Sequence, residues 1–323
     1  MQPSGPEAAI VASGLAKHYG RHVALHELTL TVPRGEVFGF LGPNGAGKTT
    51  AVKLLTGLAR PTGGHGTVLG RPLGDRDARR RIGYLPELFR FQEWLNAVEL
   101  LELHAELARY PRHAARRRIP EVIEMVGLAG RGADRVGTFS KGMQQRLGIA
   151  QALLCEPELV ILDEPTSALD PIGRRDVRDL ILDLAAQGTT VFLNSHLLSE
   201  VELVCDRVAF VNGGRVVREG RVEELLAAGH ELRIRARGVD RSVLAALQAR
   251  WRVLAQEGER LVVGVADADE AGAVVRCLVD RNVEVLELTP QRTNLEQLFL
   301  ELVEGGQNGR VDLRTPDPAR SSA

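Results

Sequence analysis

The stretch Gly42-Pro43-Asn44-Gly45-Ala46-Gly47-Lys48-Thr49-Thr50 carries the residue types that hold the phosphates of a nucleotide. Glycine backbones reach φ angles that other residues avoid, and they let main-chain N–H groups approach phosphate oxygens. Lys48 is spaced to reach the β- and γ-phosphates, and the Thr49 hydroxyl to ligate Mg²⁺. Lysine otherwise occurs only at Lys17, Lys53 and Lys141, so its place here is not the accident of a lysine-rich chain. The motif has this meaning only between a strand and a helix. The apolar run from Glu36 to Leu41 before it reads as a buried strand. Residues Ala51 to Leu58 after it repeat their apolar side chains at helical spacing. The start of that helix adds unpaired N–H groups and the positive end of its dipole.

Chemistry on a bound nucleotide needs acids. Asp163 follows the continuous apolar run Leu159-Val160-Ile161-Leu162, the mark of a central parallel strand buried on both faces. The end of such a strand is where a phosphate-loop protein places the carboxylate that holds Mg²⁺. Glu164, next in line, is the candidate to accept a proton from the attacking water, a role that contributes ~10²–10⁴-fold. His196 lies just past the strand Thr189 to Leu193, in Asn194-Ser195-His196, where a lone histidine either is structural or holds a γ-phosphate and the water. Tyr19, beside Gly20, either packs or stacks on a nucleotide base.

Around these residues the elements follow in order. Residues 8–33 read as two strands turning at Tyr19-Gly20. Pro61-Thr62-Gly63-Gly64 breaks the chain, and Asp75 to Arg81 reads as a helix. Ile82 to Glu87 is a strand ending in a loop, because Pro86 disfavours helix at Leu85. Phe89, Phe91 and Trp94 then crowd together in a chain that is 4% aromatic. Asn96-Ala97-Val98-Glu99 has the form of a capping box opening one amphipathic helix, and a second helix runs from Pro120 to Val126. Phe139 to Arg146 opens a third, so residues 95–150 form a helical insertion. Strands alternating with helices over 36–205 predict a mostly parallel α/β sheet. Val208 to Val211 and Arg215 to Arg218, joined by Asn212-Gly213-Gly214, form a hairpin. After Ala227-Ala228-Gly229 the pattern becomes βαββαβ, with helices at Arg241 to Arg250 and Asp269 to Asp280, and it closes on a helix from Asn294 to Val303.

The expected fold is therefore α/β: a P-loop NTPase domain over 8–226 with a mostly parallel sheet, an antiparallel β subdomain and a helical insertion. A small ferredoxin-like C-terminal α/β domain spans 230–304. Residues 1–7 and the tail 305–323 are expected to be disordered.

Composition narrows the class. The 323 residues are 44% hydrophobic and 26% charged with a formal net charge of −1. That balance gives no global attraction to nucleic acid or anionic lipid. Arg79-Arg80-Arg81 and Arg116-Arg117-Arg118 read as solvated helix faces. No stretch approaches the ~18 consecutive apolar residues of a membrane span. Met1 to Ala9 has none of the regions of a signal peptide. Cys155, Cys205 and Cys277 are far apart and not spaced as metal ligands, as expected in a reducing cytosol.

Taken together, the motifs resemble those of the ATP-binding subunit of an ATP-binding-cassette (ABC) transporter over residues 8–225. The resemblance implies that ATP and Mg²⁺ are the ligands and that Tyr19 stacks on adenine. It implies that Ser140-Lys141-Gly142-Met143-Gln144 is the signature motif, with Ser140, Gly142 and Gln144 at a nucleotide. Asp163 and Glu164 become metal ligand and base, Ser167-Ala168-Leu169-Asp170 a dimer-contact loop, and His196 the switch histidine. Two departures stand out. Glu87 occupies a position where the family has glutamine; it can ligate Mg²⁺ but, when ionised, cannot donate a hydrogen bond. Lys141 replaces the first glycine of the signature.

In the family the signature lies far from its own phosphate loop, so a second ATP-binding subunit, as a homodimer, would complete each site. The resemblance points to the branch with a separate exporter-type permease, placing the chain on the cytoplasmic face of the membrane. The helical insertion and the Phe89-Phe91-Trp94 cluster would carry motion to that permease, the alternative for the aromatics being plain core packing. The rival reading is a soluble cassette ATPase in translation or DNA repair. One cassette without sustained heptads argues against it. The C-terminal strands Leu232-Arg233-Ile234-Arg235 and Leu261-Val262-Val263 also lack the stacking aromatics of an RNA reader. No nucleic-acid partner is expected.

Overall fold

In the computed structural model, residues 8–227, 230–265, 270–292 and 294–307 are described. Strands β1 (Ala8–Tyr19) and β2 (His22–Pro33) form a long hairpin. The chain then enters a second sheet through β3 (Val37–Leu41), followed by helix α1 (Lys48–Leu55). It returns to the first sheet as β4 (Gly63–Val68) and β5 (Arg71–Pro72), giving the order β2-β1-β4-β5. Helix α2 (Arg76–Arg80), capped by Asp75, leads to β6 (Ile82–Leu85).

Three helices, α3 (Ala97–Leu107), α4 (Arg112–Met125) and α5 (Lys141–Leu153), separate β6 from its neighbour β7 (Leu159–Asp163). The Asn96 and Glu99 side chains reciprocally cap the start of α3. After β7 come α6 (Pro171–Ala186), β8 (Thr190–Asn194) and α7 (Leu198–Val204). Strands β9 (Arg207–Asn212) and β10 (Arg215–Arg221) close the large sheet in the order β10-β9-β3-β8-β7-β6. Strands β9, β3, β8, β7 and β6 run parallel, and only the β10 hairpin arm is antiparallel.

Every residue of β3, β7 and β8 is buried. That follows from their unbroken apolar sequences, which suit strands covered on both faces. One face packs on the first sheet and α1, where Phe192 lies 5.9 Å from Phe38 and 5.2 Å from Phe40 between ring centroids. The other face packs on α3 to α6.

After α8 (Val222–Ala227), a separate core forms from β11 (His230–Arg237), α9 (Arg241–Gln248), β12 (Arg252–Glu257), β13 (Arg260–Val265), α10 (Ala271–Val279) and β14 (Glu284–Arg292). Its sheet order, β12-β13-β11-β14 with all neighbours antiparallel, is that of a ferredoxin-like βαββαβ unit. The last helix, α11 (Leu295–Gln307), leaves this unit and returns to the nucleotide-binding half. Its Leu295 and Leu298 are buried in the same core as α3 to α6, and Phe299 lies 6.3 Å from Phe210. The Leu295 N–H donates to Glu202 on α7 at 3.0 Å. No described helix is long and apolar enough to cross a membrane.

Three local expectations change. The second inserted helix begins at Arg112, not Pro120. A mid-helix proline removes one backbone bond and crowds the preceding turn. Ala115, Ile119, Val122 and Ile123 are buried at helical spacing across that point, and their packing outweighs the defect. Arg81 is not a solvated residue: it clasps Glu158 through Nε and Nη2, while Arg34 donates to the same carboxylate at 3.0 Å. Finally, α11 continues through Gln307, past the glycines expected to end regular structure. Residues 1–7, Ala228-Gly229, Asp269 and 308–323 lie outside the described residues.

Glu158 thus fastens the start of β7 to the ends of β2 and α2. The Arg81 hydrogen bonds, and then the Arg34 guanidinium, hold its carboxyl below its ordinary range. A lowered carboxyl gives stability that is present above the unfolded value and lost as pH falls through the folded one. Glu158→Ala should lower the thermal midpoint by a few degrees at pH 7, and the gap to wild type should shrink on acidification. The pairs are half-exposed, so the effect is modest. Thermal unfolding followed by circular dichroism across pH checks it.

Candidate nucleotide site

The loop between β3 and α1 is built on glycines that nothing larger can replace. Gly47 has φ 98°, and a Cβ there would lie 2.5 Å from the Ala24 carbonyl oxygen. A Cβ on Gly42 would meet the Val211 carbonyl oxygen at 2.3 Å. Gly47 is also the N-cap of α1 and offers no side-chain acceptor, which leaves the first-turn N–H groups to a ligand. Lys48 curls over the loop, its Nζ donating to the carbonyls of Gly42 at 2.6 Å and Pro43 at 3.2 Å.

A cavity of about 500 Å³ opens above this loop. Asn44, Gly45, Gly47, Lys48, Thr49 and Thr50 line one wall, and Glu87, Glu164 and His196 the other. Gly42, Pro43 and Ala46 are not in the lining; they shape the loop from behind. Asp163, 1% exposed, ends β7 and receives a hydrogen bond from the Asn194 side chain. Glu164 has φ 54°, a left-handed conformation rare for a residue with a side chain. Its N–H donates to the Asn194 carbonyl at 2.8 Å, and the Gln145 amide donates to its carbonyl at 3.2 Å. In that pose its Oε2 lies 2.7 Å from His196 Nδ1.

Charge in the site is finely balanced. Burial pulls Lys48 below its ordinary value against the opposing fields of Glu164, Asp163 and Glu87. Burial pushes Asp163 up, and Glu87 and Glu164 push the same way, while Asn194 and Lys48 resist. Tyr84 on β6 is pushed to about 12, by burial first and then by Asp163 and Glu87.

The residues present fit Mg²⁺. Asp163, Glu87 and the Thr49 hydroxyl are hard oxygen donors around an excess of negative charge, and the buried Asn194 Oδ1 has no partner. Among the described residues no cluster of His, Cys, Asp and Glu could hold a metal by itself.

Asp163 and two further groups of expected residues are absent from the cavity lining. Tyr19 is 47% exposed at the hairpin tip with Lys17 Nζ 4.9 Å from its ring centroid. It does not line the cavity, but its cross-strand partner His22 does. Ser140, Gly142 and Gln144 sit at the start of α5, also outside the lining. Ser140 caps Met143, and Gln144 donates to the Val136 carbonyl at 3.4 Å. His22, Ala24 and Asn194 line the cavity without having been singled out from the sequence. Only Asn194, written beside His196 at a strand end, carried a readable signal.

The model of the ABC transporter family matches residues 25–167. An ABC transporter ATP-binding protein of Nostoc sp., itself uncharacterized, is 43% identical over 87% of this chain and 84% of its own length. The chain belongs to the ABC transporter ATP-binding proteins. A daunorubicin resistance ATP-binding protein of Streptomyces coeruleorubidus is 38% identical over 94% of this chain and 98% of its own. Among solved structures, a dimeric ATP-binding cassette in a post-hydrolysis state with ADP and Pi matches with TM-score 0.60 at 28% identity. It covers 66% of this chain and 98% of that one. The ABC ATPase fold and ATP hydrolysis follow from this membership.

The raised Asp163 has a measurable consequence. An acid whose folded value is raised weakens the fold above that value and stops doing so as pH falls through it. Above that value the nucleotide-free ABC protein therefore bears the cost of an ionised, buried Asp163. Asp163→Asn should abolish hydrolysis yet raise the thermal midpoint without nucleotide, by ~2–4 °C per kcal/mol relieved. A lower midpoint in scanning calorimetry would contradict the charge-burial account.

Proposed function

We propose that two copies of the chain close head to tail over two ATP molecules, and that hydrolysis reopens them to drive a separate export permease. The observation that carries this is the position of Ser140 and Gly142. They cap an exposed helix end outside the chain's own cavity, so they are free to complete the cavity of a second copy.

In that site the loop N–H groups and Lys48 hold the phosphates, and Tyr19 at the hairpin tip lies beside the cavity for adenine. Thr49, Asp163 and Glu87 would hold Mg²⁺, which when bound supplies positive charge to the phosphate oxygens. Glu164 Oε2 accepts the proton of the attacking water. His196, 2.7 Å away, steadies that carboxylate and the γ-phosphate. Asn194 holds both acids in place, one by its side chain and one by its carbonyl. The accessory unit 230–304 serves as a dimer-stabilising or regulatory module.

For the permease, a cleft of about 630 Å³ runs beside β6, the free edge of the large sheet. Arg76, Arg79, Arg80, Tyr84, His104 and Arg109 are among the residues that line it. Tyr84 also feels the charges of Asp163 and Glu87, which links the cleft electrostatically to the nucleotide site. Of the aromatic cluster, Phe89 and Phe91 pack on each other at 4.9 Å against the core, whereas Trp94 is 72% exposed. Trp94 is the member available to a partner. With the permease in place, the chain sits on the cytoplasmic face of the membrane.

Glu164→Gln should bind ATP and accumulate as a nucleotide-dependent dimer in sedimentation analysis, with steady-state hydrolysis reduced at least ~10²-fold. Unchanged turnover would contradict the base assignment. Capture of the tagged chain from detergent-solubilised membranes should recover a multi-span protein. The double charge reversal Arg79→Glu/Arg109→Glu should lose it without loss of ATP affinity. A ribosomal or DNA partner in its place would favour the soluble reading.

A further inference from the structure

Helix α5 touches two places at once. Its exposed N-terminus, Ser140 to Gly142, is the turn that the head-to-tail dimer lays on the partner's ATP. Gln145, in the second turn of the same helix, is 4% exposed and donates from Nε2 to the main-chain carbonyl of Glu164 at 3.2 Å. At about 1.5 Å of rise per residue, less than a nanometre of rigid helix separates the two contacts.

The Gln145 bond is not needed to satisfy that carbonyl, because Ser167 Oγ donates to the same oxygen at 3.1 Å. Nor does the core call for an amide there. The buried residues that follow on α5, Leu147, Ile149 and Ala150, are apolar, and a buried amide is costly unless it is bonded. What the bond does is fasten the peptide after Glu164 to helix α5. The Glu164 N–H is held by the Asn194 carbonyl and its C=O by Ser167 and Gln145, so the two peptides that flank a φ of 54° are both held, and Gln145 is the tie that comes from α5. A shift of α5 would therefore pull on the backbone that aims the carboxylate at His196. Gly142 joins the same device: a Cβ there would meet Leu169 Cδ2 at 3.4 Å and the Ala168 carbonyl at 3.5 Å, so the signature turn rests directly on the loop that follows Glu164.

We propose that Gln145 is a positioning residue tying the base Glu164 of one ATP site to the signature turn that closes over the other, so that each site hydrolyses when its neighbour is filled. This rests on the head-to-tail dimer proposed above. ATP seated against Ser140 fixes the first turns of α5, Gln145 carries that fixed position to the Glu164 peptide, and the coupling is reciprocal because each subunit holds both contacts.

The test uses the full chain and Gln145→Met, which fills the same volume without a donor. In the Glu164→Gln background, the added Gln145→Met should leave ATP affinity and ATP-dependent dimerisation unchanged. With Glu164 intact, it should lower kcat about ten- to a hundredfold at constant KM. The Hill coefficient for ATP should fall from about 2 toward about 1. Unchanged kcat and Hill coefficient would overturn the proposal, as would loss of ATP binding or dimerisation in step with kcat, which marks a merely structural residue. If Glu164→Gln alone fails to dimerise with ATP, the head-to-tail reading falls first and the coupling with it. Should Gln145→Met not fold, Gln145→Asn, which keeps the amide but shortens its reach, is judged by the same readings.

Discussion

The whole nucleotide-binding half is arranged around the burial of two neighbouring carboxylates at the end of one parallel strand. Ionised groups resist removal from water, and adjacent like charges resist each other. Asp163 and Glu164 are kept there by groups drawn from distant parts of the chain: Asn194 from β8, Gln145 from α5, Lys48 from α1 and His196 after β8. Each of those groups needs its own element in register. The fully buried strands β3, β7 and β8 supply a common frame whose ends all deliver to one place. The site remains under electrostatic tension without ligand, and the left-handed Glu164 adds a conformational tension to it.

Much of this was legible in the residues because the signals are local. Unbroken apolar runs identify the central strands, the glycine loop declares itself by spacing, and Asn96 with Glu99 announces a helix start that the structure caps reciprocally. What escaped detection depends on long-range packing. Pro120 looks like a helix start, yet lies inside α4 because side chains on both sides of it are buried in one core. Arg81 looks like one of three solvated arginines until the fold brings Glu158 to it. Ala24 has no chemical signature at all, and it reaches the cavity only because the β1–β2 hairpin lies over the loop. Gln145 was hidden by being next to more familiar residues. Its bond to Glu164 is a matter of distance, and distances are not written in a sequence.

The two halves of the chain differ in how they use charge. In the nucleotide-binding half the decisive charges are buried, and each is held by specific partners from other elements. On the C-terminal sheet, Arg235 and Arg237 lie near Glu287, Glu259 and Glu284 on exposed strands. Such pairs are worth little individually. They make a solvated face, and the stability of that unit comes from the apolar side facing α9 and α10.

The return of α11 bears on the order in which the molecule can be made. Leu295 and Leu298 bury themselves in a core whose other members lie upstream, as far back as Val37, and Phe299 covers Phe210. Each such leucine contributes roughly 1.5–3 kcal/mol when fully buried. A ribosome emitting this chain therefore finishes the entire accessory unit before the first unit receives its final apolar cover. Until then β9 and α7 present an oily surface to the cell. The nascent protein must either be shielded over that interval or fold its second unit quickly. A helix made after the second unit serves as the seal of the first.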